Sequence, residues 1–536
     1  MANAPAARQP RTLRILGWIF LAGGGLVLLL FLALYAQRHR IHDLVRERTG
    51  KMLQTHFASK IEFSDFDVVL FPRVHVTITD LVMRHKGRTD IPPLVQIRKV
   101  SMEGNLLNLL RPKPHIAFVR LEGLQIHIPP KQPGGPPLIQ KTDQDLAKKY
   151  PALIEEMVAD DASIVILRAQ PDKPAREMPI HHLQLHDLSF DRPAKFRAAL
   201  TNFLPKGEIE AEGEFGPWQA EVPRETVANG KYIFRDADLG TIKGLRGILS
   251  SVGTFSGPLD YLKVEGTADV PDFTLRTADH PTALHTEYSA FVDGGNGDTY
   301  LTKVTANFRH STILASGKIV DEDPQTKGRT ILLDATSQNA RVEDLIRLAV
   351  KTDEPIMTGL CELNAKIDIP EGNGDLIERL KILGQFRIAD GEFTSSQIQD
   401  KIDSLSRKAQ GKPKEADINK VSSEMAGNFN VNNGVVSFAD LKFSVTGAAI
   451  TLKGNYTLDT EGLDFHGTLV MKAKISQTTT GAKSFFLKAV DPFFEGKNAG
   501  TVLPIKISGT KDHPEFGLDR GAPANKNAPA PPKPAK

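Results

Sequence analysis

The sequence predicts a mostly β protein: an elongated antiparallel β-sheet array or groove with a few helices, preceded by one N-terminal transmembrane helix. Three observations predict this fold class. Residues 15–36 (ILGWIFLAGGGLVLLLFLALYA) contain no charged side chain. Beyond residue 59, apolar and polar residues alternate over many short stretches, which is the period of strands with one buried and one solvated face. The 43 glycines and 35 prolines among 536 residues can supply the turns between such strands.

The uncharged run at 15–36 predicts a membrane anchor. As a helix it would measure about 33 Å at 1.5 Å per residue, enough to cross the roughly 30 Å hydrocarbon core of a bilayer. The alternative is a cleaved signal peptide, whose apolar region is usually about 7–15 residues long and ends in small residues. More positive charges follow the run than precede it, but long domains cross membranes largely regardless of charge.

Composition excludes some classes of function and stabilisation. The net charge of +3 is nearly balanced, so the chain lacks the basic character of a nucleic-acid-binding protein. Cys361 is the only cysteine, so an internal disulfide is excluded. Stability must therefore come from apolar burial and hydrogen bonding.

The first half of the chain begins with a predicted juxtamembrane helix at 37–58, which has apolar residues at helical spacing and a cationic opposite face. This helix either lies on anionic lipid headgroups or docks on the folded body. A first β region is predicted at 59–200 and a middle β region of short strands at 201–340. Interruptions of the first region are predicted as a short helix at 106–110, a linker at 129–137 and a helix at 142–159 with a break at Pro151.

The second half is predicted as a C-terminal β region at 341–520 with a helical insertion. Helices are predicted at 341–350, 376–383 and 397–409, the last within a polar insertion that runs to residue 419. From residue 441 to 471, apolar residues alternate with polar ones between turns, the clearest strand signal in the chain. Residues 521–536 (GAPANKNAPAPPKPAK) have a low-complexity composition that predicts a disordered tail.

One apolar face per strand has two interpretations. If other elements cover that face, it is an ordinary core. If the sheet curls without closing, the face is a long trough that can solvate acyl chains. Periodicity alone does not separate the two.

Both ends of the chain carry distinctive strand and turn motifs. At the N-terminal end these are the anchor and residues 63–84 (FSDFDVVLFPRVHVTITDLVMR). At the C-terminal end they are residues 447–469 (GAAITLKGNYTLDTEGLDFHGTL), 489–494 (AVDPFF) and 503–516 (LPIKISGTKDHPEF). These motifs resemble those of the AsmA family, and they carry no catalytic groups. The polar insertion at 397–419 departs from the family pattern.

The resemblance implies an inner-membrane anchor with residues 1–14 on the cytoplasmic side, and a periplasmic body that acts in outer-membrane biogenesis. It implies movement of phospholipid along an apolar β-groove, or a non-enzymatic scaffold that affects the targeting or assembly of outer-membrane proteins. The expected partners are membrane phospholipid and an outer-membrane or other envelope protein, without nucleic acid. The lipid-facing candidates are Val74, Val76, Ile78, Leu124, Ile126, Ile128, Leu441, Phe443, Val445, Ile450, Leu452, Phe465, Leu469, Met471, Ile505 and Ile507.

No enzyme activity, cofactor or metal is expected. His181, His182 and His186 form the only histidine cluster, and no cysteine or carboxylate cluster lies nearby to complete a metal site. Residues 293–298 (DGGNGD) approach a calcium-loop phrase but lack one residue, so a hairpin turn is predicted there and at 371–375 (EGNGD). Residues 253–257 (GTFSG) have the wrong spacing for a nucleophile elbow.

Overall fold

The computed structural model describes most of residues 59–519. Its gaps are at 70–72, 86–91, 94, 106–107, 109–114, 129–152, 168–175, 190, 218–222, 279, 323–325, 327, 352–353, 415–420 and 479–499. The predicted anchor at 15–36, the juxtamembrane helix, the linker at 129–137 and the terminal tail lie outside the described residues. So do the four leucines of the predicted helix at 106–110. The described residues are mostly strand, joined in one large sheet with few helices.

The N-terminal strands form because short apolar–polar alternation places one side of each strand against its neighbours. They are β1 (Ser59–Glu62), β2 (Asp65–Val69), β3 (Val74–His85), β4 (Val95–Gly104), β5 (His115–Ile128), β6 (Leu153–Asp160), β7 (Ala162–Ile166), β8 (Arg176–Ser189) and β9 (Ala194–Phe203). Both β1 and β2 pair with β3, and each later strand is added at the growing edge of the sheet.

The middle strands continue the meander without a break. They are β10 (Lys206–Phe215), β11 (Val227–Asp238), β12 (Leu245–Arg246), β13 (Ile248–Pro258), β14 (Leu262–Leu275), β15 (Thr282–Val292), β16 (Thr299–Phe308), β17 (Ser311–Val320) and β18 (Thr330–Arg341). The two-residue β12 pairs only with the end of β14, so β11 bonds directly to β13.

The C-terminal strands carry three α-helices of the described residues in their connections. The strands are β19 (Met357–Ile369), β20 (Lys381–Phe393), β21 (Ser423–Asn432), β22 (Val435–Val445), β23 (Ala448–Thr457), β24 (Gly462–Met471), β25 (Thr501–Thr510) and β26 (Pro514–Leu518). The helices are α1 (Val342–Ala349), α2 (Leu376–Arg379) and α3 (Ser396–Ala409). The helices predicted at 341–350 and 397–409 are therefore confirmed.

Two predicted helices are corrected. Residues 153–159 belong to strand β6, because this segment pairs with β5 on one side and β8 on the other, and those backbone hydrogen bonds override its helix-compatible spacing. The helix predicted at 376–383 ends at Arg379. Asp375 caps its first turn by accepting from the Ile377 amide at 2.9 Å, and Lys381–Leu383 already pair with β19 or β21.

The sheet is mixed, whereas an antiparallel sheet was predicted. Strand β5 pairs in parallel with β6 and β7, and every other pairing is antiparallel among the described strands. Parallel neighbours require a long crossover connection, and residues 129–152 lie between the two parallel strands.

The sheet coils so that opposite strand ends meet. Arg276 follows the C-terminal end of β14, and Asp375 follows the C-terminal end of β19, five strands further on. Because β14 and β19 run in opposite directions, these two ends lie at opposite ends of the strands. The Arg276 Nε and Asp375 Oδ2 atoms are nevertheless 2.8 Å apart. In a flat sheet those five strand spacings alone would separate them by about 24 Å. A second such contact joins Lys511 Nζ to the carbonyl oxygen of Lys351 at 2.6 Å.

Helix α3 is fixed to the sheet by the buried amide of Gln399, whose side chain is 4 % exposed. Its Oε1 accepts from the Phe393 amide at 2.9 Å, and its Nε2 donates to Asp403 Oδ1 at 2.8 Å and to the Val421 carbonyl at 3.2 Å. We expect Gln399→Ala to lower the free energy of unfolding by about 2–3 kcal/mol, because these groups are left unpaired. Urea denaturation followed by circular dichroism measures the loss.

The control is Gln397→Ala, an exposed position on the same helix. It should change the free energy of unfolding by less than about 0.5 kcal/mol. Equal midpoints for the two variants would contradict the role assigned to Gln399.

Candidate functional site: the inner face of the sheet

One row of directly opposed residues crosses the whole sheet without a charged side chain. We call it the central row, and the side of the sheet that bears it the inner face. From β2 to β26 the row is Phe66, Ile78, Val100, Leu121, Ala159, Leu183, Ala198, Ala211, Tyr232, Gly253, Gly266, Tyr288, Val304, Ala315, Ala335, Ala365, Gly384, Phe429, Phe438, Gly454, Phe465, Ile507 and Phe516.

The inner face is concave. The rings of Phe196 on β9 and Phe255 on β13 approach to 6.3 Å between centroids, although two strands lie between them. The rings of Phe438 and Phe465 approach to 5.8 Å across the single strand β23. Side chains on non-adjacent strands meet in this way when the face that bears them curves inward, since flat neighbouring strands lie about 4.8 Å apart.

The outer face carries exposed charged side chains in cross-strand ion pairs. Glu212 on β10 lies between Arg197 at 3.3 Å and Lys231 at 2.8 Å, on the strands to either side. The hydrogen bond from Lys231 lowers the pKa of the Glu212 carboxyl. Such exposed pairs stabilise the sheet little. They keep the outer face in water and leave the inner face as the apolar side.

The two ends of the inner face are packed. Near the N-terminal end, buried side chains from β2 to β8 form one apolar cluster around Ile78. Near the C-terminal end, Leu345 and Ile346 of α1 pack against β18–β20, and Ile402 and Leu405 of α3 pack against Phe443 and its neighbours. These parts of the face are a core.

The middle of the inner face is only half-covered. All eight members of the central row from Ala198 to Ala315 are half-buried. Ala335 and Ala365, which follow them, are buried, and the row is half-buried again at Gly384, Phe429, Phe438 and Gly454. Contact of a partly exposed apolar surface with water is unfavourable, so an apolar ligand that covers the surface lowers the free energy.

The strand register and the apolar clusters place fifteen of the sixteen lipid-facing candidates on the inner face. Val74, Ile78, Leu124, Leu441, Phe443, Val445, Leu452, Phe465 and Met471 are buried, and Val76, Ile126, Ile450, Leu469, Ile505 and Ile507 are half-buried. Ile128 is the last residue of β5. Contact of these residues with lipid stays a prediction.

The lipid-facing candidates predicted from the sequence include no residue of the middle strands, although the strands themselves were predicted. There, the inner-face positions are often Gly or Ala, for example Ala211, Gly253 and Gly266, so the alternation of large apolar residues is weak. The sequence does indicate the inner face of these strands where two large apolar residues are spaced by two, as Tyr232 and Phe234 are.

Three hydroxyl groups meet on the inner face near its middle. Ser251 Oγ donates to the Thr267 carbonyl at 2.8 Å and lies 2.8 Å from the Tyr288 hydroxyl. The Tyr232 hydroxyl bonds to that of Tyr288 and lies 3.3 Å from Ser251 Oγ. We call these three residues the hydroxyl cluster. Burial raises the pKa of Tyr288, so its phenol stays protonated.

Glycines make room for the hydroxyl cluster. Tyr232 on β11 and Tyr288 on β15 reach each other over β13 and β14, whose central-row residues are Gly253 and Gly266. A Cβ at Gly253 would lie 2.9 Å from the Tyr232 hydroxyl oxygen, and one at Gly266 would lie 3.2 Å from that of Tyr288. A side chain at either position would therefore displace the tyrosine hydroxyl that lies over it.

The other residues singled out in the sequence lie at turns, at strand ends and within strands. Across the described residues, no group of three or more His, Cys, Asp or Glu side chains is placed to hold a metal ion. His181 bonds to Thr201 at 2.7 Å. Residues 293–298 form the predicted hairpin turn between β15 and β16, whereas 371–375 begin a longer connection that contains α2. Residues 253–257 lie within β13.

Comparison with protein-family models, with curated proteins and with solved structures gives no match for this chain. None of the helices in the described part of the chain is both long and apolar enough to span a membrane. The fold itself gives the class of protein: a large mixed β-sheet with one continuous apolar face.

Proposed function

We propose that this protein moves phospholipid between membranes along the inner face of its sheet, which acts as an open β-groove. In this proposal residues 15–36 anchor the chain in the inner membrane with the N-terminus in the cytoplasm, the bulk of the chain is periplasmic, and the process served is outer-membrane biogenesis. The resemblance of both ends of the chain to the AsmA family supports this setting.

The observation that carries the proposal is the central row. Each methylene of an acyl chain that is buried against an apolar lining contributes about 0.8 kcal/mol to binding. A charged residue on the lining would remove that contribution locally and would interrupt movement of the chain. The row contains none from Phe66 to Phe516. The polar outer face keeps the protein in water, and the open side of the groove leaves headgroups solvated.

The half-buried middle section supports an open groove over a closed core. A scaffold for outer-membrane proteins needs no open apolar face, whereas a lipid conduit does. The side chains from Ala198 to Ala315 favour the conduit.

Photocrosslinking tests the proposal at two matched valines. Val264 lies on the inner face of β14 opposite Phe255, and Val252 lies on the outer face of β13 and is 51 % exposed. A photoreactive phenylalanine analogue at either position of the full chain is activated in cell envelopes. We expect phospholipid adducts, measured by mass spectrometry, at position 264 and at least fivefold fewer at position 252.

Charged variants at the same positions provide the second readout. Val264→Glu should lower the amount of phospholipid that co-purifies with the full chain by about fivefold or more, because an unpaired carboxylate in an apolar lining is costly to desolvate. Val252→Glu should leave it unchanged. Equal adducts at both positions, together with lipid-free wild-type protein, would overturn the conduit and leave the scaffold.

A further inference from the structure

The hydroxyl cluster is a polar patch within the apolar, half-open part of the inner face. Its neighbours in the adjacent cross-strand rows include Phe234, Phe255 and Val264. Thr286, which shares a cross-strand row with Ser251 through Ala268, is another hydroxyl on that face. A lining that served only plain acyl chains would gain nothing from three converging hydroxyl groups.

The protons of the cluster can be counted. Ser251 uses its single proton on the Thr267 carbonyl, so Tyr288 must donate to Ser251 Oγ. Tyr232 must then donate to Tyr288 or Ser251. All three O–H donors are consumed within the protein, and the oxygens keep unused lone pairs. The cluster can therefore accept hydrogen bonds from a ligand while offering none.

The surroundings limit the donor to a neutral group. An ammonium headgroup placed among Phe234, Phe255 and Val264 would lose its hydration without a countercharge, at high cost. An aliphatic hydroxyl loses only a bond to water, which the cluster replaces.

We propose that Tyr232, Ser251 and Tyr288 form a binding position for a hydroxyl group carried on an acyl chain, so that the groove favours hydroxylated over plain acyl chains. This inference rests on the proposed function. The hydroxyl donates to a tyrosine oxygen, and the rest of the chain lies along the apolar lining on either side.

The test is a competition on the full chain in detergent. Octadecanoic acid and 12-hydroxyoctadecanoic acid are added at equal concentration, free ligand is removed, and the ratio of the two bound acids is measured by mass spectrometry. Tyr232→Phe/Tyr288→Phe keeps both rings and removes two hydroxyl groups. We expect the bound ratio of hydroxylated to plain acid to fall about fivefold from wild type to this variant, the value of one hydrogen bond. Partition into detergent cancels in this comparison.

The outcomes separate the two proposals. If wild type binds both acids and the ratio is the same in the double variant, the hydroxyl position is wrong and the groove stands. If wild type binds neither acid, both proposals fail. If the melting curve shows that the double variant does not fold, Tyr232→Phe alone is used, with an expected fall of about twofold. An unchanged ratio there overturns the inference.

Discussion

Asp344→Ala should lower the free energy of unfolding by about 3 kcal/mol. Asp344 lies in the first turn of α1 and is 1 % exposed. Its carboxylate accepts from Arg309 Nε at 3.0 Å, from the His310 amide at 3.0 Å and from the Ser311 hydroxyl at 2.8 Å. These bonds tie α1 to the turn between β16 and β17. The variant leaves the amide and the hydroxyl without their acceptor in a buried place.

Two further variants make this prediction specific. Asp344→Asn keeps the shape and part of the accepting capacity, so it should lose about half as much stability. Asp334→Ala, at an exposed position on β18, should lose less than about 0.5 kcal/mol. Urea denaturation of the full chain in detergent measures all three. A loss for Asp344→Ala no larger than that for Asp334→Ala would contradict the assignment.

Phe443→Asp should cost more than about 5 kcal/mol and unfold the C-terminal part of the sheet. Phe443 is 6 % exposed, lies within the cluster covered by α3, and its ring is 6.1 Å from that of Phe393. Loss of a buried phenylalanine costs about 3–5 kcal/mol, and an unpaired buried carboxylate adds to it. Limited proteolysis and urea denaturation measure the result.

Phe516→Asp is the matched control for this variant. Phe516 lies on the same inner face, where it ends the central row, but it is 53 % exposed on the last strand. We expect a change below about 1 kcal/mol there. If both variants fold equally well, the C-terminal inner face is not a packed core. Because Phe443 supports the fold, variants at this position report on stability, and lipid binding is better tested at Val264.

Strand and helix assignments were predicted best where the local pattern was strong. The alternation from Leu441 to Met471 gives strands β22, β23 and β24, and the amphipathic spacing after Arg341 gives helix α1. Such patterns report which side of an element is buried, and local geometry alone sets their period. The pattern failed at Leu153–Asp160, where pairing on both sides produced a strand.

The candidate site was predicted in part for the same reason. Alternation identified apolar positions such as Ile78 and Phe465, and the strand register aligns them on one face. It did not distinguish buried Phe443 from half-buried Val264, because exposure depends on whether α1, α3 or another strand lies above the face.

By itself, then, the sequence determined a chain of strands with one apolar face each, an uncharged run at 15–36, and the absence of familiar catalytic motifs. Only the tertiary structure decided the parallel pairing of β5, the coil that brings Arg276 to Asp375, and the meeting of Tyr232 with Tyr288. The physical reason is that alternation encodes only which side of a strand is apolar. Curvature and long-range pairing depend on contacts between residues that are distant in the chain.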